Sequence, residues 1–197
     1  MTRVQDLWDR QRIHACLLRY CRAVDRVDAG LLATVFHEDA LIEHGKFVGG
    51  PAEFASWAAP LHADALSYQH IILNHACELD GATAHAETYF MFVRMNSAGR
   101  PLTMNGGRYI DRLERREDDW RIAARVTLRD WAALDHVPDF TDLAALTSTA
   151  ARLSAAERAF MNAGRGTERG PGDPSYDRPL SVPPSRRADY VALTRKG

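Results

Sequence analysis

Cysteine is scarce in this sequence, and no long stretch of it is apolar throughout. The 197 residues include only Cys16, Cys21 and Cys77, without a CxxC spacing, so neither a disulfide framework nor a thiolate metal site is predicted. No apolar run reaches the ~18 to 20 residues that a membrane helix needs, and the first ten residues lack the apolar core of a signal peptide. We therefore expect a cytoplasmic protein that does not bind membranes.

An excess of charge of either sign is also missing. The 25 basic and 26 acidic residues nearly cancel, so no overall field would attract nucleic acid, and a small-molecule partner is the simpler expectation. The pairs Gly49-Gly50 and Gly106-Gly107 lack the residues that complete a phosphate or dinucleotide loop, and the eight histidines form no compact ligand motif such as HExxH. The sequence thus predicts no cofactor and no metal.

The first third of the chain has the spacing of helices. Apolar residues recur three or four apart between Val4 and Val27, which predicts one amphipathic helix. Asp28 is a suitable N-cap for a short second helix over 31–36, and a brief strand is predicted over 40–43. Pro51 suits the first position of a third helix.

From Tyr68 onward the pattern changes to long strands. Four runs, over 68–79, 83–95, 102–115 and 120–133, are separated by short segments rich in turn residues, which predicts an antiparallel meander. Strands of this length imply strong curvature, and Gly106-Gly107 is the expected bulge. Helices followed by strands predict an α+β fold, a cone-shaped barrel in which three helices pack on a strongly curved, mainly antiparallel sheet around a pocket. We assign residues 1–134 to this cone domain and 135–197 to a C-terminal arm, partly helical and partly extended.

Asp25 and His70 are the main candidates for chemistry. A carboxylate late in a helix can meet an imidazole on a strand if the helix lies across the sheet, and the acid could then orient a general base. On the residues alone, Asp25 could instead be a solvated partner of Arg22 or Arg26, and His70 an exposed edge-strand residue. Arg129 could stabilise a developing anion or form an ion pair with an acid.

Three segments together resemble a known family: RYCRAVDRVDAGLLATVFHEDA, SYQHIILNHACELDGATAHAETYF and GGRYIDRLERREDDWRIAARVTLRDW. They are similar to the SnoaL-like branch of the nuclear-transport-factor-two-like superfamily, over about the first two-thirds of the chain. The resemblance implies the cone fold, and its dehydratase and dehydrochlorinase members pair a helix aspartate with a strand histidine, where Asp25 and His70 fall. It also implies pocket positions for Arg129 and Tyr20, while the segment after residue 134 exceeds the tails expected in this family.

The function that we expect is that of a cofactor-independent lyase acting on a small, apolar cyclic substrate. His70 is the expected base, Asp25 its orienting acid, Arg129 the electrostatic support and Tyr20 a donor. Trp57, Phe54, Tyr89, Asn105 and Tyr109 are the expected substrate-binding residues. The alternatives are a ketosteroid-isomerase-like isomerase or polyketide cyclase, in which Asp25 itself carries the proton, and a non-catalytic binding or assembly module. The apolar strand face and the arm predict a homo-oligomer, a dimer or trimer.

Overall fold

The computed structural model describes residues 3–63, 65–96, 103–133, 153–164 and 173–195. The elements in chain order are α1 (Arg3–Asp25), α2 (Ala29–Ala33), β1 (Phe36–His44), β2 (Phe47–Gly49), α3 (Pro51–Ala63), β3 (Ala65–Asp80), β4 (Thr83–Asn96), β5 (Thr103–Arg116), β6 (Asp119–Ala133), α4 (Ala155–Asn162) and α5 (Pro184–Thr194). None of the described helices is both long and apolar enough to span a membrane.

The six strands form one curved, unclosed sheet in the order β2-β1-β6-β5-β4-β3. Neighbouring strands are antiparallel except β1 and β6, which run parallel. The four predicted long strands are all present, and the predicted α+β cone with three N-terminal helices is confirmed. The short second helix and the first short strand both differ in extent from the prediction. Phe36 was predicted to end the helix, but it begins β1, because it pairs with Ile122 of β6.

Helix α1 lies across the concave face of the sheet. Its buried positions follow helical spacing and include Ile13, Leu17, Tyr20 and Val24, which join the main hydrophobic cluster of the protein. Full burial of an aliphatic or aromatic side chain of this size contributes about 1.5–3 kcal/mol, so this face fixes the helix on the sheet. At the end of α1, the Tyr68 hydroxyl of β3 donates to the carbonyl of Val24 at 3.2 Å.

The helix ends directly after Asp25. Val27 has a φ of 51°, a left-handed conformation that a β-branched residue rarely adopts, and the Asp28 amide then bonds the carbonyl of Ala23 at 2.9 Å. The Asp28 side chain accepts from the Leu31 amide at 2.8 Å and caps α2, as the sequence predicts. The turn thus reverses the chain while Asp25 stays at the sheet.

Three irregularities of register decide which side chains face inward. In β3 the pairing shifts between Ile72 and His75, so that Cys77 and Leu79 pack against the inner cluster. In β6, shifts near Ala123 and Asp130 bring Ile122 into the inner cluster and put Trp131 opposite Gly106. The two-residue alternation along β3 and β6 is therefore broken, because each bulge moves the following residues to the opposite face.

Part of the described C-terminal segment packs on the outer face of the sheet. Leu180 and Val182 share a buried cluster with Ile110, Val126 and Leu128 of β5 and β6. This contact covers part of the apolar face on which the prediction of an oligomer was based. Oligomerisation through that covered part would require the C-terminal segment to move away, and the oligomeric state stays a prediction.

Two largely buried ion pairs join the C-terminal segment to the sheet. Arg186 of α5 donates to Glu43 of β1 at 3.1 Å, and Arg108 of β5 donates to Asp173 at 3.1 Å. Because removal of one partner leaves a buried charge uncompensated, these contacts specify where the segment lies.

Candidate functional site

A cavity of about 870 Å³, its open mouth included, lies between the helices and the concave face of the sheet. Its walls combine aromatic side chains from α1, α3, β4 and β5 with a few polar groups. This mixture of apolar and polar surfaces is typical of small-molecule sites.

Asp25 and His70 meet at the edge of this cavity. Oδ1 of Asp25 lies 2.7 Å from Nδ1 of His70, and their side chains are 14% and 9% exposed. The backbone amide of His70 also donates to both carboxylate oxygens at 3.1 Å. A carboxylate that accepts from the ring keeps the proton on Nδ1, so that Nε2 is the nitrogen able to take a proton from a substrate.

Three further polar side chains come from neighbouring positions of β5 and β6. Asn105 and Tyr109 lie on the same face of β5, and Arg129 pairs with Gly107 between them. The Tyr109 hydroxyl is buried and has no hydrogen-bond partner in the described structure. Burial raises the pKa of Tyr109 well above its usual value, so its hydroxyl stays a donor. Burial lowers the pKa of Arg129 from its ordinary value, but arginine remains a cation.

Tyr20 lines the same cavity from α1, as predicted. Its ring centroid lies 5.4 Å from that of Tyr109 and 6.4 Å from that of His70. Burial raises the pKa of Tyr20 to about 12, although the nearby Arg125 guanidinium acts in the opposite direction. The phenol therefore stays protonated, and both tyrosines keep their acidic hydrogen for donation.

A fully buried ion pair supports these two tyrosines. The Arg125 guanidinium lies 4.1 Å from the ring centre of Tyr20 and 4.2 Å from that of Tyr109, and it donates to both oxygens of Asp111 at 2.7 and 2.8 Å. Burial and stacking restrict the cation to one position between the rings. The pair thus positions the tyrosines without lining the cavity itself. Sequence reasoning missed this role of Arg125.

The residues that form the apolar walls are only in part the substrate-binding residues expected from the sequence. Trp57 and Phe54 of α3 line the cavity, whereas Tyr89 is 40% exposed and does not. Phe90 and Phe92 occupy the wall instead, and Phe90 stacks on Tyr109 with centroids 4.4 Å apart. The expectation for Tyr89 is wrong, because alternation along β4 puts it on the outer face.

The sequence contains a signal for the inner face of β4. Residues at the even positions are buried from Ala84 to Phe90, and Phe92 and Arg94 continue this series into the cavity. The small residues Ala84 and Ala86 alternate with polar residues, and Phe90 and Phe92 follow at the same spacing, so this pattern could have identified the wall. By contrast, the cavity contacts of Lys46 and Met161 depend on a hairpin and on the C-terminal part of the chain, whose positions no local pattern predicts.

No group of three or more His, Cys, Asp or Glu side chains in the described ranges has an arrangement that could hold a metal ion. The polar atoms at the cavity instead form a base supported by an acid on one side and hydrogen-bond donors on the other. Such a site can remove a proton from carbon and stabilise the negative charge that develops.

Comparison with solved structures gives the same architecture. A proposed scytalone dehydratase from Novosphingobium aromaticivorans has a TM-score of 0.63 and 16% identity, covering 69% of this chain and 93% of its own. A hexachlorocyclohexane dehydrochlorinase, LinA-type3 from Novosphingobium barchaimii, has a TM-score of 0.61 and 16% identity over 70% of this chain and 100% of its own. A protein of unknown function from Mycobacterium tuberculosis has a TM-score of 0.59 and 22% identity over 100% of this chain and 95% of its own.

Identities this low show a common fold and leave the reaction open. None of the curated proteins compared with the chain matches it. The family model described as the SnoaL-like domain matches residues 5–126, from α1 to the middle of β6, and therefore includes the Asp25 and His70 pair. The chain belongs to the SnoaL-like domain family.

Proposed function

We propose that the protein is a cofactor-independent lyase that removes a proton and a leaving group from a small, mainly apolar cyclic substrate. The observation that carries this proposal is the 2.7 Å contact between Asp25 and Nδ1 of His70 at the cavity. A non-catalytic binding site has no need of an imidazole oriented by an acid. The names of two structural neighbours, a dehydratase and a dehydrochlorinase, agree with elimination.

In the proposed reaction, Nε2 of His70 takes a proton from the substrate carbon next to an activating group. The electron pair of the broken C–H bond forms a carbon–carbon double bond, and the leaving group departs with the electrons of its own bond. Asp25 stabilises the imidazolium that results, and this orienting role in general-base catalysis contributes to a rate effect of about 10²- to 10⁴-fold. Asp25 acts as a positioning residue because its contacts are to His70.

The donors on the far side of the cavity would stabilise the negative charge. Arg129 supplies a cation, and Tyr109, Asn105 and Tyr20 supply neutral donors to a carbonyl oxygen or to the leaving group. Trp57 and Phe54 would bind the apolar body of the substrate. No step requires a group other than these side chains.

The test is product analysis with a panel of β-hydroxy ketones, hydroxysteroids and chlorinated rings in heavy water. We expect a product lighter by water or HCl, and we expect His70→Gln to abolish its formation. His85→Gln is the matched control, since His85 lies at an odd position of β4, on the face opposite the Phe90 series, and should leave the rate unchanged.

Other outcomes would replace this proposal with a different one. A product of unchanged mass that depends on Asp25 but survives His70→Gln would indicate an isomerase or cyclase. Binding of the panel without any turnover or deuterium exchange would indicate a binding module. The contacts of both Asp25 oxygens with His70 favour the lyase over an Asp25 proton shuttle.

A further inference from the structure

Apart from the phenols of Tyr20 and Tyr109, the ionisable groups that line the cavity are all basic among the described residues. They are Lys46, Arg94 and Arg129 together with two histidines, and no described lining residue is an Asp or Glu. Lys46 is neutralised by Glu157, whose Oε1 lies 2.7 Å from Nζ. Asp25, which contacts His70 at the edge of the cavity, supplies one negative charge, so the two arginines leave an excess of positive charge there.

Arg94 lies at the open end of this cavity. On the inner face of β4, Phe90 is buried, whereas Phe92 and Arg94, two and four residues further along, are half-buried. Arg94 pairs with Tyr68 of β3, and the next inward pair on the same face is His70 with Phe92. The guanidinium is therefore close to the proposed base, on its outer side.

One nitrogen of the Arg94 side chain is unsatisfied by the described protein. Its Nε is hidden from solvent and has no hydrogen-bond partner, and the ion pairs among the described residues do not include Arg94. A hidden donor without an acceptor costs about 1–3 kcal/mol, and more in a charged group. A carboxylate can accept two parallel hydrogen bonds from one guanidinium and would remove this cost.

The backbone positions of Arg94 and Arg129 lie in different parts of the cavity wall. Along β4, Arg94 and Phe90 are four residues apart, which corresponds to about 13 Å. Phe90 pairs with Gly107, and Gly107 pairs with Arg129, so two strand spacings, or about 10 Å across the sheet, separate the columns of the two arginines. His70 pairs with Phe92, which lies between Arg94 and Phe90 on β4, so the proposed base is placed between the backbone positions of the two arginines.

We propose that the substrate is an apolar ring compound with a carboxylate that Arg94 binds, while Arg129 faces the charge that develops at the reacting end. This inference names the substrate class for the proposed lyase and rests on that function for the role of Arg129. The carboxylate site itself depends only on the cavity and on Arg94. A single unpaired guanidinium at an aromatic wall suits one planar carboxylate better than a phosphate, which usually recruits several donors.

The experiment compares unreactive acids with neutral compounds of the same shape. Calorimetry measures the binding of 2-naphthoate and 2-naphthalenemethanol, and of benzoate and benzyl alcohol, to the full chain at neutral pH. We expect each acid to bind at least ten times more tightly than its alcohol, and Arg94→Gln to weaken the acid about ten- to hundredfold while leaving the alcohol unchanged. Arg94→Lys should retain part of the preference, and the exposed Arg22→Gln should retain all of it.

Equal binding of acid and alcohol to the wild-type protein would overturn the proposal, as would no binding of either acid. It would also be wrong if Arg94→Gln weakened both members of a pair equally, or if Arg129→Gln removed the preference and Arg94→Gln did not. Circular dichroism of each variant checks that it folds. These probes undergo no elimination, so the two proposals are tested separately. A failed activity assay would contradict the lyase but not the carboxylate site. A failed binding test would contradict the carboxylate site but not the lyase.

Discussion

Asp25 binds both the ring and the main chain of His70, with 2.7 Å to Nδ1 and 3.1 Å to the backbone amide. The first contact sets the tautomer of the imidazole, and the second fixes the carboxylate to β3 itself. Since Asp25 is the last residue of α1, these bonds also join the end of that helix to the sheet. One residue therefore connects the fold to the proposed chemistry.

Asp25→Asn should reverse the tautomer of His70 and largely preserve the fold. The asparagine oxygen can still accept from the backbone amide, and its NH₂ group then faces Nδ1 and favours the proton on Nε2. We expect activity to fall about 10²- to 10⁴-fold. The ¹⁵N chemical shifts of the ring measure the tautomer without any substrate. Asp28→Asn, which keeps a good N-cap, is the control and should not alter them.

The buried Asp111 and Arg125 pair gives a prediction about stability. Arg125→Met leaves the Asp111 charge without its partner in a fully buried site, so we expect a loss of about 3–5 kcal/mol in the free energy of unfolding. The double variant Asp111→Leu/Arg125→Met removes both charges and should recover most of that loss. Urea unfolding of the two single variants and the double variant measures the coupling. If the loss in the double variant equals the sum of the losses in the two single variants, the two charges act independently.

The fold followed from the sequence because its patterns are local. The spacing of apolar residues in α1, the Asp28 cap and the turn residues between long strands each act over a few positions, and together they predict helices followed by a meander. Gly106-Gly107 was identified as a bulge for the same reason. The residue pair Asp25 and His70 was found through the family resemblance, since on the residues alone both positions allowed a solvent-exposed interpretation.

The remaining parts of the site depend on tertiary contacts that no local pattern carries. The two shifts in β6 put Ile122 and Trp131 on faces that an unbroken alternation would not give, because one extra residue reverses a two-residue alternation. Tyr89 was expected in the pocket because it is aromatic, and only the buried series on β4 separates it from Phe90. The outer position of Leu180 depends on packing between residues about 70 positions apart in the chain.

Gly107 is predicted to tolerate no side chain. A Cβ there would lie 2.0 Å from the carbonyl oxygen of Leu128, and backbone on a neighbouring strand cannot move away as a flexible side chain can. We expect Gly107→Ala to cost about 3 kcal/mol or more. Gly81→Ala is the control, since Gly81 has a φ of +61° but open space around it and should cost only about 1–2 kcal/mol. Similar midpoints of urea unfolding for the two variants would contradict the proposed close approach.

Glu157 is predicted to make stability depend on acid pH. Its hydrogen bond with Lys46, followed by that from the Ser154 amide, lowers its pKa from 4.5 to about 2. A carboxyl whose pKa is lower in the folded state stabilises the protein above its unfolded pKa, and the stabilisation is lost as the pH falls from about 4.5 towards 2. Because Glu157 is partly solvated, we expect Glu157→Gln to cost about 1 kcal/mol at pH 7.

The difference between Glu157→Gln and the wild-type protein should therefore shrink as the pH is lowered from 5 to 3, which urea unfolding at fixed pH values measures. Glu38→Gln changes an exposed carboxyl with no ion pair in the described ranges, and it should show no such convergence. A constant difference from pH 3 to pH 7 would mean that Glu157 stabilises α4 through its shape and not through its charge. The result also bears on the cavity, because Glu157 neutralises Lys46, one of the cations in the cavity lining.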